Sequence, residues 1–72
     1  MDGGEFGRGL KRTLKKKHIT EKTLAERAGI RYGRLSRYVR GEAVPGVDTA
    51  LKLAAAIGQT VEEIAERGKN DE

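Results

Sequence analysis

The chain has no cysteine and no tryptophan, a single proline, and only three aromatic residues, Phe6, Tyr32 and Tyr38, in 72 positions. Without cysteine, disulfides and thiolate metal sites are excluded, so the fold must hold by packing alone, which suits a reducing cytoplasm. No apolar run approaches the roughly 18 residues of a membrane span, and the N-terminus lacks a signal-peptide core. These absences predict a cytoplasmic protein with no membrane partner. The only histidine, His18, has no evident carboxylate partner, and there is no thiol nucleophile. Enzyme chemistry, a metal site and a cofactor are therefore not expected. At 36% apolar content the chain can bury one small core and form one domain.

Acidic residues are scarce where cations are dense. Residues 8–40 contain twelve lysines and arginines but only Glu21 and Glu26, a net charge of +10. Residues 41–72 reverse the balance, with three cations and seven acids, a net −4. A basic half beside an acidic half points to a polyanion partner more strongly than the net charge of +4 does.

Punctuation divides the chain into five short helices and no strands. "MDGGEFG" is glycine-rich and predicts a flexible arm over 1–7, with the domain over 8–67 and a polar tail over 68–72. Leu10 and Leu14 stand four apart among lysines, as on one face of a first helix ending near Lys17–His18. Thr20 is a good N-cap for a helix over Glu21–Ala28, which Gly29 closes. A third helix covers Tyr32–Arg40 and stops at Gly41. A fourth covers Val47–Ile57, after the breaker Pro45. Thr60 and Glu63 then form a capping box that opens a short fifth helix.

The segment "AGIRYGRLSRYVRG", residues 28–41, carries the function signal. It has an arginine at every third position, Arg31, Arg34, Arg37 and Arg40. At about 100° per residue, Leu35, Tyr38 and Val39 fall on one side of the third helix and Gly33, Arg37 and Arg40 on the other. Arg34 lies on one flank, Ser36 and Tyr32 on the other, and Arg31 precedes the helix. Guanidinium groups fanned around the exposed half suit a groove lined by phosphates and base edges. Two helices of about eight residues joined by a tight turn at Gly29 make a helix-turn-helix, whose second helix enters the major groove of double-stranded DNA.

The stretch "ITEKTLAERAGIRYGRLSRYVRGEAVPGVDTALKLAAAIGQTVEEI", residues 19–64, resembles the XRE-type helix-turn-helix domain of phage repressors and Cro proteins. The resemblance rests on "LAERAGI", on Leu35 and Gly41, on Pro45 with "LKLAAAIG", and on "TVEEI". It implies an all-α, compact five-helix bundle, lambda-repressor-like, that acts as a sequence-specific transcriptional regulator, a repressor. By position it implies base reading by Tyr32, Gly33, Ser36 and Arg37. Backbone contacts fall to Thr20, Glu21, Arg31, Arg34, Arg40 and Lys17. Where the family usually has glutamine this chain has Glu21, so backbone N–H groups would meet the phosphate there. Where many members have a buried arginine–glutamate pair, this chain has Leu14 and Val39, expected to share an apolar contact. Tyr38 takes a core position.

The family binds near-palindromic operators as dimers, which predicts a weak homodimer, or one formed on DNA, through Val61, Ile64 and neighbours on the fourth helix. No small-molecule ligand is expected. Two other readings stay open. One is an antitoxin-type DNA binder that also holds a partner protein by its acidic tail. The other is a protein-interaction module that has lost DNA binding, which Glu21 favours and the +10 segment opposes.

Overall fold

The computed structural model describes residues 3–69. Among them are five helices and no strand: α1 (Gly3–Lys17), α2 (Glu21–Ala28), α3 (Tyr32–Val39), α4 (Val47–Ala56) and α5 (Val61–Arg67). No helix is long and apolar enough to cross a membrane.

The helix ends are set locally. Thr20 is extended, and its hydroxyl accepts the Thr23 N–H at 3.1 Å, which opens α2. At α5 the capping box is complete: Thr60 Oγ1 accepts the Glu63 N–H at 3.0 Å, and the Glu63 carboxylate accepts the Thr60 N–H at 2.8 Å. The C-terminal ends of α1 to α4 share one device. His18, Gly29, Gly41 and Gly58 all take left-handed φ values, 57°, 72°, 76° and 68°. The N–H of each following residue reaches back to a carbonyl of the last turn: Ile19 to Leu14, Ile30 to Ala25, Glu42 to Arg37 and Gln59 to Ala54, each at 2.9–3.0 Å. These are Schellman closures, and at α1 a histidine makes one where glycine would do so without a Cβ penalty.

The core draws on every helix. Phe6, Leu10 and Leu14 of α1 meet Leu24 and Ala25 of α2, Leu35, Tyr38 and Val39 of α3, Ala50, Leu53 and Ala54 of α4, Ile57, and Ile64 of α5. Tyr38 is core, as its register implies. Leu14 and Val39 are both buried in this cluster, on helices that pack together. An apolar substitution at both members of a buried ion pair avoids the desolvation of two charges. Thr13 Oγ1 is buried without a hydrogen-bond partner.

Both ends of the domain extend past the boundaries that composition suggests. The expected arm is helical from Gly3, and Phe6 is fully buried; Met1 and Asp2 lie outside the described residues. The glycines serve close approach here, not mobility. A Cβ on Gly7 would collide with the Tyr38 carbonyl of α3, and one on Gly9 with the Ile64 carbonyl of α5. Gly68, expected to begin a polar tail, is buried, and a Cβ there would collide with the Glu5 carbonyl and the Gly9 nitrogen. Residues 70–72 lie outside the described part. Arg8 Nε donates to Gly68 O at 2.9 Å and Arg12 Nη1 donates to Arg67 O. Two guanidinium groups of α1 thus satisfy carbonyls at the negative end of α5.

Candidate nucleic-acid interface

The geometry of the site follows from the α2–α3 turn. Gly29 closes α2 and Ile30 turns its side chain toward the core, where it is half-buried. The chain then enters α3 at Arg31, which is extended and exposed. Leu35, Tyr38 and Val39 anchor α3 inward. The same helix therefore presents Tyr32, Gly33, Arg34 and Arg37 outward, all exposed, with Arg40 just past its end. Tyr32 is 55% exposed, an unusual position for an aromatic ring without a partner. A Cβ added at Gly33 would meet nothing within 4 Å, so no packing within the protein requires glycine there.

Arg40 is the cation of the group held by hydrogen bonds within the protein. Its Nε and Nη2 donate to the two carboxylate oxygens of Glu42 at 2.9 and 3.2 Å, and its Nη1 donates to Ser36 Oγ at 2.6 Å. The hydrogen bond and charge of Glu42 raise the Arg40 pKa, and Arg40 in turn holds the Glu42 carboxyl below its usual range. The carboxylate is therefore ionised at neutral pH, and the pair is lost only as pH falls through that lowered value. Glu21 and Tyr32 also act on Arg40 electrostatically, and Arg37 acts on Glu42. One surface thus gathers the start of α2, the outward side of α3 and the first residues of the α3–α4 loop.

Several expected site residues stand differently from one another. Thr20 is exposed, but its hydroxyl is engaged by Thr23, accepting its N–H and donating to its Oγ1 at 3.0 Å. Glu21 is half-buried and lies within electrostatic reach of Arg40. Ser36 is half-buried, with its oxygen accepting from Arg40. Lys17 is exposed, and its Nζ lies beside Gly58, just past the C-terminal end of α4. Glu42 is the residue that sequence reasoning passed over, because it was counted with the acidic half. Its only local signal was an acid two places after Arg40, just beyond a helix-closing glycine.

A second surface lies across the molecule's α4 and α5. Pro45, Val47, Ala50, Leu51, Val61 and Ala65 line a shallow groove of about 350 Å³. Val47 and Leu51 are 76% and 55% exposed. Ile64, expected to join such a surface, is fully buried and belongs to the core. Among the described residues, no group of histidine, aspartate or glutamate is placed to hold a metal ion.

Comparison with known proteins agrees with this geometry. A family model described as helix-turn-helix matches residues 10–64. A search of the curated proteins finds no significant match. Among solved structures, the chain is similar to the restriction-modification controller protein C.AhdI from Aeromonas hydrophila. The identity is 26%, the TM-score 0.81, and the match covers 86% of this chain and 94% of that one.

Proposed function

The chain belongs to the XRE-type helix-turn-helix family, and on that premise we propose that it is a DNA-binding transcription regulator that reads an operator with α3 and represses from it. The observation that carries this reading is the division of α3. Its apolar residues are buried, whereas Tyr32, Gly33, Arg34 and Arg37 all face outward with no packing role. Arg37 is assigned to a base edge, where its fork matches guanine O6 and N7. Tyr32, Gly33 and Ser36 complete the reading surface. Arg31 and Arg34 meet phosphates, together with N–H groups at the start of α2, where Thr20 and Glu21 stand. Lys17, exposed three residues before Thr20, is a further phosphate contact on this reading. The similarity to a controller protein over most of its length supports the regulator reading. Catalysis has no role in the reading.

The test is selection of bound duplexes from a random pool at about 150 mM salt, near physiological ionic strength. Recovery of one motif is expected. Arg37→Ala should then weaken binding to that motif by about 1–3 kcal/mol, or roughly 5- to 150-fold, while leaving random-sequence binding nearly unchanged. Equal weakening on both duplexes, measured by fluorescence anisotropy, would assign Arg37 to phosphate instead.

The α4–α5 groove supports a homodimer. Its lining is apolar apart from Glu62, and Val47 and Leu51 stand exposed there. Leu51→Asp should raise the dimer dissociation constant about 30-fold, equivalent to about 2 kcal/mol. Folding should be little affected, because Leu51 is already mostly exposed. Sedimentation equilibrium checks this, and a variant that self-associates like the wild type removes the groove from the interface.

A further inference from the structure

The C-terminal end of α3 carries an arrangement that a simple phosphate clamp does not need. All three guanidinium nitrogens of Arg40 are bound within the protein, two by Glu42 and one by Ser36. Yet the pair is not buried: the Arg40 and Glu42 side chains are 55% and 53% exposed. Glu42 is delivered there by the backbone. Gly41 turns the chain at φ 76°, and the Glu42 N–H closes on Arg37 O at 2.9 Å, which sets its carboxylate beside the last turn of α3. The resulting two-oxygen, two-nitrogen fork fixes the plane of the guanidinium. An arginine so paired offers phosphate little net charge. Arg37, Glu21 and Tyr32 surround the pair electrostatically, so it lies within the proposed DNA-facing surface.

Ser36 gives the arrangement a direction. A hydroxyl has one donor and two acceptor lone pairs. Arg40 Nη1 occupies a lone pair of Ser36 Oγ, so the hydroxyl proton is left to donate. In the major groove the acceptors are guanine O6 and N7, adenine N7 and thymine O4.

We propose that Glu42 determines specificity by holding Arg40 off the phosphate backbone and onto Ser36, so that Arg40 positions the Ser36 hydroxyl to donate to a base. Arg40 is on this account a positioning residue, and Glu42 suppresses sequence-blind affinity. The inference rests on the reading of α3 as the operator-reading helix.

The experiment compares wild type, Glu42→Gln and Ser36→Ala on two probes, the duplex selected by the wild type and a random-sequence duplex of equal length, across a range of salt. Glu42→Gln should bind the random duplex more tightly, with a salt slope steeper by about 0.9, one added phosphate contact. Its preference for the selected duplex should fall at least about fivefold. Ser36→Ala should lose a similar preference with no change of slope. An unchanged preference in Glu42→Gln overturns the proposal, whatever its slope. Unchanged preference in Ser36→Ala also overturns it, since the hydroxyl would then be donating within its own helix. Wild-type protein that selects no motif overturns instead the operator reading on which the inference rests. Thermal melts of both variants should match wild type within a few degrees, because an exposed ion pair contributes little to stability.

Discussion

Gly9→Ala is expected to cost about 3 kcal/mol of folding stability, although it adds one methyl group and raises helix propensity. By propensity alone the change should gain about 1 kcal/mol, since Gly9 lies inside α1. The packing decides otherwise. The added Cβ would occupy the space of the Ile64 carbonyl, a backbone atom of α5 that no rotamer change can move. The most extensive helix pairing in the molecule, α1 against α5, would have to open. That same movement would pull Arg8 and Arg12 from the carbonyls they satisfy at Gly68 and Arg67.

A domain of this size is stable by about 4–11 kcal/mol, so the loss removes a large share of it. It should appear as a fall in melting temperature of about 12–24 °C. Gly33→Ala is the matched control. The site is also helical, but open, so there the propensity gain should be realised as a rise in melting temperature. Two glycines of the same chain thus predict opposite signs. A Gly9→Ala protein that melts within a few degrees of wild type would show that α1 and α5 do not approach so closely. In Gly33→Ala, a stability gain joined to a loss of operator affinity would show that the groove uses the bare backbone at this position.

What could be read from the sequence was mostly local. Thr20, Gly29, Gly41 and the Thr60–Glu63 box act within six residues of themselves, and the helices they bound lie where the sequence places them. The arginine fan of α3 was legible for the same reason, because one helix turn decides which residues share a face. The start of α1 was not. Glycine at 3, 4 and 7 is the composition of a flexible arm, and only carbonyls at Tyr38, Ile64 and Glu5 reveal that Gly7, Gly9 and Gly68 are small so that helices can touch. Arg8 and Arg12 counted toward the polyanion surface, yet they bond to the far end of the chain, 60 and 55 residues away. Charge counting placed Arg40 and Glu42 in opposite halves of the chain, and the left-handed turn at Gly41 brings the two together.

Phe6→Ala should destabilise the protein by about 3–5 kcal/mol, the cost of an aromatic cavity in a tightly closed core. Of the three aromatic residues, Phe6 is fully buried, Tyr38 is 5% exposed and Tyr32 is 55% exposed. Tyr38 is the other aromatic of the core, whose remaining apolar residues are leucine, isoleucine, valine and alanine, so few side chains can refill the space. The cavity should relax little, because the glycine contacts at Gly7 and Gly9 hold the surrounding helices at fixed separation. Tyr32→Ala is the comparison. It removes more atoms but from a residue that is 55% exposed, so it should change stability by about 1 kcal/mol or less while affecting DNA binding. Urea denaturation of the two variants decides between an N-terminal arm and a helix built into the fold. If residues 3–7 acted as an arm, Phe6→Ala would leave the midpoint in place. A midpoint that falls by more than half would make Phe6 the keystone of α1, and would mean that any operator-binding study of a chain trimmed at Arg8 measures a partly unfolded protein.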